Sequence, residues 1–236
     1  MQNFFRKKKE AINIPGNAFD KRLSAIYSAY QQPGKASPYL IDLGIKAAQR
    51  ATTIDLSDIA ARVPAADVNY ITIFPGEHYN LLAAITDLLQ PKLIIELGTH
   101  LGYSSLCMKK YLQHGKLVTF DVIPWHGFKE TIMKEADFDN QLEQFTDDIT
   151  DENNFSKHRQ LLESADIIFM DALKDGVQEY QFLKNFATIQ FTQKCLFIFD
   201  DIRLWNMLDI WYHMDKPKLD MTSFGHWSGT GLVEWN

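Results

Sequence analysis

Cysteine is almost absent from this chain: Cys107 and Cys195 are the only two in 236 residues. Two thiols give neither a disulfide framework nor a cysteine zinc site, and both stand among apolar residues as small core side chains. Long apolar runs are missing as well, since none approaches the roughly 20 residues that a bilayer-crossing helix needs. The basic cluster Arg6 to Lys9 is followed by Ile14-Pro15-Gly16 rather than by an apolar signal region, so a soluble cytoplasmic chain with no membrane partner is expected. Positive charge is in deficit, with a net charge of -6 and a pI of about 5.6, which speaks against broad nucleic-acid binding. What the chain does have is apolar substance. At 46% hydrophobic and 13% aromatic residues it can bury a sizeable core, and disorder as the main state is excluded.

Apolar residues recur at helical spacing over 18 to 31 and 38 to 50, with Gln32-Pro33-Gly34 between them, and again over 77 to 89 after Pro75-Gly76. From Pro91 onward the pattern alternates. Strands are predicted at 92 to 96, 116 to 121, 142 to 146, 166 to 170 and 195 to 199, and helices at 103 to 113, 153 to 163, 176 to 188 and 202 to 214. Strands separated by helices imply a doubly wound, Rossmann-like, mostly parallel sheet. The tail differs, because Leu219 to Phe224 and Gly231 to Trp235 are extended runs with no helix between them, which suits an antiparallel pair at one sheet edge. The expected division is an N-terminal helical extension over 1–65 and one α/β domain over 66–236.

In such a sheet, ligands bind beyond the carboxyl ends of the strands. The first strand runs out through Glu96 into Gly98-Thr99-His100-Leu101-Gly102 and then Tyr103-Ser104-Ser105, a glycine turn opening a helix whose free N–H groups can receive an anion. Acids close the other strands: Asp121, Asp147 and Asp148, Asp171, and Asp200 with Asp201. Asp121 ends the second strand, the place from which a carboxylate accepts the hydroxyls of a ribose. A nicotinamide oxidoreductase would want the same acid, but it would also want a third glycine where Ser105 stands.

The segment Glu-Leu-Gly-x-x-x-Gly-Tyr-Ser, with the later acid at Asp121, resembles class I S-adenosylmethionine-dependent methyltransferases, and among them the catechol and caffeoyl-CoA O-methyltransferase group. The resemblance implies that Glu96, Gly98 and Ser104 line the methionine end of the cofactor, that Thr99 and Gly102 also border the cofactor, that Asp121 holds the ribose, and that Asp148 sits near adenine. Ile167-Ile168-Phe169-Met170-Asp171-Ala172-Leu173-Lys174 and Phe197-Ile198-Phe199-Asp200-Asp201 resemble the segments that supply a divalent-cation site and a lysine near the reacting hydroxyl. By that likeness Asp171, Asp200 and Asp201 would hold Mg²⁺, Ca²⁺ or Mn²⁺, the ions that suit oxygen ligands. Asp171 would also border the cofactor, and Lys174 would take the proton if its pKa were depressed. The catechol group carries Asp-Asn where this chain has Asp200-Asp201, so a metal-independent small-molecule methyltransferase stays open. So does a non-catalytic adenosyl-binding protein.

Two histidines on loops, His126 and His226, are further catalytic candidates. Trp125 and Trp227 could floor an aromatic acceptor pocket, whereas Trp205 and Trp211, with Met207 and Leu208, are expected on the buried side of a helix. The expected partner is a small-molecule methyl acceptor, and the aromatic-rich N-terminal extension is compatible with exchange between two copies in a homodimer.

Overall fold

A computed structural model of the chain describes residues 33–236. The helix predicted over 18 to 31 and the basic cluster Arg6 to Lys9 lie outside the described residues. Five of the predicted runs become the parallel strands β1 (Leu93–Leu97), β2 (Lys116–Phe120), β3 (Leu142–Phe145), β4 (Ile167–Met170) and β5 (Leu196–Asp200). Thr230–Glu234, here β7, pairs antiparallel with β5, and Lys218–Asp220, here β6, pairs antiparallel with β7. The sheet order is β3-β2-β1-β4-β5-β7-β6, so the chain winds outward from β1 in one direction and then restarts at β4 on its other side. That reversal between β1 and β4 is where doubly wound sheets open a crevice at their carboxyl ends.

Successive residues of a strand point to opposite faces, and the sheet is covered on both. Ile94, Leu117, Phe169, Ile198 and Leu232 pack with Leu40, Leu82, Ile85 and Leu106 from helices α1 (Pro38–Ala51), α4 (Tyr79–Leu89) and α5 (Tyr103–Tyr111). Ile95, Val118, Ile168, Phe197 and Val233 pack on the other side with Phe155, Leu183, Phe186 and Trp211. Each such side chain contributes about 1.5–3 kcal/mol of hydrophobic stabilisation. Helix α1 is started by Ser37, whose hydroxyl accepts from the Leu40 N–H, with Pro38 in the first turn. It packs into the same core as the sheet, together with Ile59 and Ala60 of the short helix α2 (Ser57–Ala60). A further short helix, α3 (Val68–Thr72), leads toward α4.

Two helical expectations change. The run 153 to 163 forms two pieces, α6 (Glu152–Lys157) and α7 (Arg159–Glu163), because His158 leaves helical geometry to place its Nε2 2.6 Å from Asp147. The ring of His158 then packs against Phe120 and Phe145. After α8 (Gln178–Phe186), the helix expected over 202 to 214 is shorter, α9 (Met207–His213). Trp205 therefore lies on the preceding turn and is 71% exposed, whereas Met207 and Trp211 are buried as expected. Among the described residues, no helix is long and apolar enough to cross a membrane.

Candidate active site

The glycine turn sits at the reversal point. Gly98 has φ of 102°, and a Cβ there would come within 1.9 Å of the Asp171 carbonyl oxygen. Only glycine lets the loop after β1 lie directly against the loop after β4. Asp121 holds the turn from the side: one carboxylate oxygen accepts the N–H groups of Thr99 and His100, each at 3.0 Å, and the other accepts from Ile123 at 2.9 Å. The Thr99 hydroxyl is spent on Thr119 at 2.7 Å and Gln144 at 2.9 Å. Gly102 begins α5 at φ of 84° with Met133 packed where a side chain would be.

Glu96 lies beneath this loop and is fully buried. Ser104 donates to one of its oxygens at 2.5 Å and Ser105 donates to the other. Burial raises the pKa of Glu96 to about 7 despite the serine hydrogen bonds, which pull the other way. Ser105, standing where a dinucleotide fold has its third glycine, is thus a fixed partner of Glu96. A cleft of about 210 Å³ opens above, lined by Tyr70, Tyr79, Thr99, Gly102, Ser104 and Asp171 among others. A larger cavity of about 310 Å³, lined by Lys92, Asp166 and Lys194, lies at the amino ends of the strands. Doubly wound sheets bind ligands at the carboxyl ends, so the smaller cleft is the relevant one.

Beside the cleft the strand-end carboxylates converge on one ammonium. Lys174 Nζ contacts Asp171 and lies 3.2 Å from Asp201 and 3.4 Å from Asp200. Burial would lower the pKa of Lys174, but the carboxylates Asp171 and Asp200 override it and drive the pKa upward. The pKa of Asp171 is raised as well, to about 6, through burial and the negative charge of Asp200. Lys174 and Asp201 both hold left-handed backbone, φ of 60° and 57°, a conformation costing of order 1–3 kcal/mol that persists where surroundings enforce it. The following Asp175 caps the start of α8, accepting from the N–H groups of Val177 and Gln178 at 2.8 Å.

A second group closes the far side of Asp200. His226 places Nδ1 3.1 Å from Asp200 Oδ1 and 3.3 Å from Asp201, and its Nε2 contacts Glu77. Burial would lower the pKa of His226, yet hydrogen bonds to Asp200, Asp201 and Glu77 raise it to about 11. His78 is buried against the same oxygen of Asp200 at 3.0 Å. Burial alone would raise Asp200, but His78, His226 and Lys174 hold it well below the usual carboxylate range.

The structure thus brings together Lys174, His226, Asp171, Asp200 and Asp201, and sets Glu96, Gly98, Thr99, Gly102, Ser104 and Asp121 around the adjoining loop. It does not bring in His126, whose ring packs edge-on against Trp125 on a 3-10 turn after β2. Asp148 accepts from the N–H and hydroxyl of Thr150 at 2.9 and 2.7 Å, shaping the turn after β3. Neighbouring carboxylates raise the pKa of both Lys174 and His226, which works against either as a proton acceptor. The three aspartates expected to hold a divalent cation, Asp171, Asp200 and Asp201, do converge, and the ammonium of Lys174 stands where they meet. Trp227 is 72% exposed beside His226, and Trp125 stacks on Phe138 at 5.2 Å. Glu77 and His78 were missed; their signal was a charged pair directly after Pro75-Gly76 at a helix start.

The sequence family described as "Methyltransferase domain" matches residues 95–202, the stretch that runs from the glycine turn to the Asp200-Asp201 pair. Over that stretch the chain is similar to the methyltransferase domain family. Among solved structures, a methyltransferase from Geobacter sulfurreducens is similar at 17% identity with a TM-score of 0.53, covering 76% of this chain and 90% of that one. A Staphylococcus aureus protein assigned as a caffeoyl-CoA O-methyltransferase is similar at 15% identity with a TM-score of 0.53, covering 83% and 97%. What these two share with this chain is the fold. No curated protein matches the chain in sequence.

Proposed function

We propose that the methyltransferase transfers the methyl group of S-adenosylmethionine to a hydroxyl oxygen of a small molecule. The observation that carries this reading is the meeting of the Gly98 turn and Asp171 under one cleft, with an ammonium fixed beside it. The donor supplies an electrophilic methyl on a sulfonium. Asp121 accepts the ribose hydroxyls while keeping the turn in place, Asp148 lies toward the adenine, and the start of α5 receives the donor's carboxylate. Asp171 takes the acceptor's hydroxyl proton as the oxygen–methyl bond forms and the sulfur–methyl bond breaks, leaving the methyl ether, S-adenosylhomocysteine and a protonated Asp171. Lys174 stabilises the negative charge growing on that oxygen. The same ammonium would repel an amine, which becomes more positive as it is methylated, so oxygen is favoured over nitrogen.

The test is calorimetry with S-adenosylhomocysteine, followed by turnover on a panel of small hydroxylated acceptors. The intact protein should bind, Asp121→Ala should weaken binding at least about tenfold, the loss of about 1.4 kcal/mol expected for one good hydrogen bond to a charged group. Asp171→Asn should retain binding and lose turnover by about 100-fold or more. Absence of binding by the intact protein would refute the donor assignment.

A further inference from the structure

His78 is an anomaly among the buried polar groups. It is 2% exposed, yet neither Nδ1 nor Nε2 has a hydrogen-bond partner. Its Nδ1 lies 3.0 Å from Asp200 Oδ1 but off the direction that an N–H···O bond requires. A buried ring with both nitrogens unbonded calls for a missing partner, an ordered water or an ion. The neighbours decide which. His226 brings its Nδ1 to 3.1 Å from the same Asp200 oxygen, the two imidazoles meet edge to face with centroids 5.2 Å apart, and the donor atoms of His78, Asp200 and His226 all lie within 4.8 Å of one another.

We propose that His78, Asp200 and His226 form a binding site for a first-row transition-metal ion such as Zn²⁺, separate from the Lys174 side of Asp200. Ligands about 2.1 Å from an ion are about 3.0 Å apart at right angles and about 3.4 Å apart at tetrahedral angles, and the imidazole Nδ1 atoms lie 3.0 and 3.1 Å from Asp200 Oδ1. The outer contact of His226 fits too: its Nε2 faces the Glu77 carboxylate, the arrangement that fixes ring orientation in metal-bound histidines. Ser228 Oγ, 2.6 Å from His226 Nδ1, and Asp201 flank that nitrogen and would shift to the ion's outer coordination. Two imidazoles and one carboxylate favour Zn²⁺, Fe²⁺ or Co²⁺ over Mg²⁺ and Ca²⁺. The ion would tie the start of α4, the end of β5 and the 225–229 loop together, and so set the oxygen of Asp200 that faces Lys174.

The experiment uses the full chain without a histidine tag, stripped with chelator and titrated separately with Zn²⁺, Co²⁺ and Mg²⁺ by calorimetry. One equivalent of Zn²⁺ should bind at least 100-fold more tightly than Mg²⁺, and bound Co²⁺ should show visible absorption typical of nitrogen and oxygen ligands. His78→Ala and His226→Ala should each weaken Zn²⁺ binding at least tenfold, while Asp171→Asn should bind as the unaltered chain does. Failure of the unaltered chain to take up stoichiometric Zn²⁺ or Co²⁺ would overturn the site, and this readout needs no variant to fold. Loss of the metal in Asp171→Asn with retention in His78→Ala would overturn it in favour of the three aspartates. S-adenosylhomocysteine binding by the stripped chain, measured in parallel, reports on the methyl-donor site alone.

Discussion

Replacing Glu96 with glutamine should make the protein's stability less sensitive to pH, and the size of the effect follows from the burial of this one side chain. Glu96 is 0% exposed and its pKa is pushed up to about 7 from an ordinary 4.5, chiefly by burial. Below pH 4.5 both the folded and the unfolded chain hold the proton, so the group contributes its full stability there. Between 4.5 and 7 the unfolded chain releases the proton and the folded chain keeps it, so stability falls by about 1.4 kcal/mol per pH unit, or about 3 kcal/mol in all. Glutamine has the same shape, accepts from one serine through its oxygen and donates to the other through its amide, and cannot ionise. Urea unfolding of both proteins near pH 5 and near pH 8 gives the four stabilities needed, and every other titrating group cancels in the difference. The gap should move by about 2.5 kcal/mol in favour of Glu96→Gln between pH 5 and pH 8, since part of the loss has already occurred at pH 5. A gap that stays constant would mean that Glu96 is ionised in the folded protein at both pH values, and the burial argument would fail.

Gly98→Ala should be destabilised by at least about 2 kcal/mol, because the residue is left-handed and its Cβ would overlap the Asp171 carbonyl; thermal unfolding checks this, and a neutral result would mean that the two loops are not in contact. Lys174→Ala should lose about 3 kcal/mol near pH 8, since Asp171, Asp200 and Asp201 keep their charges without their shared ammonium. That loss should shrink toward pH 5, because Asp171, already held at about 6, takes up a proton more readily once the cation is gone. Denaturant unfolding at the two pH values measures it, and a loss that grows toward acid would contradict the assignment.

The order of elements was legible in the sequence because its causes are local. Runs such as Leu93-Ile94-Ile95 and Phe197-Ile198-Phe199 must be covered on both faces wherever they occur, and a glycine turn between strand and helix makes its own demands on the backbone. The same holds for the acids at the strand ends, whose position beyond the sheet follows from the winding alone. Trp205 was misplaced because a helix boundary depends on which turn closes it, here one set by contacts between loops. What Lys174 does could not be read from its spacing. A lysine near a reacting hydroxyl is a base if isolated by burial and a fixed cation if carboxylates surround it, and only folding brings Asp171, Asp200 and Asp201 around one nitrogen. Glu77 and His78 come from a helix start far from the strand ends and His226 from the tail, so their meeting at Asp200 has no signature in the chain. Spacing along the chain determined which residues stand at the carboxyl ends of the sheet. Their charge states were decided by the tertiary structure, because protonation responds to what lies a few ångströms away in space.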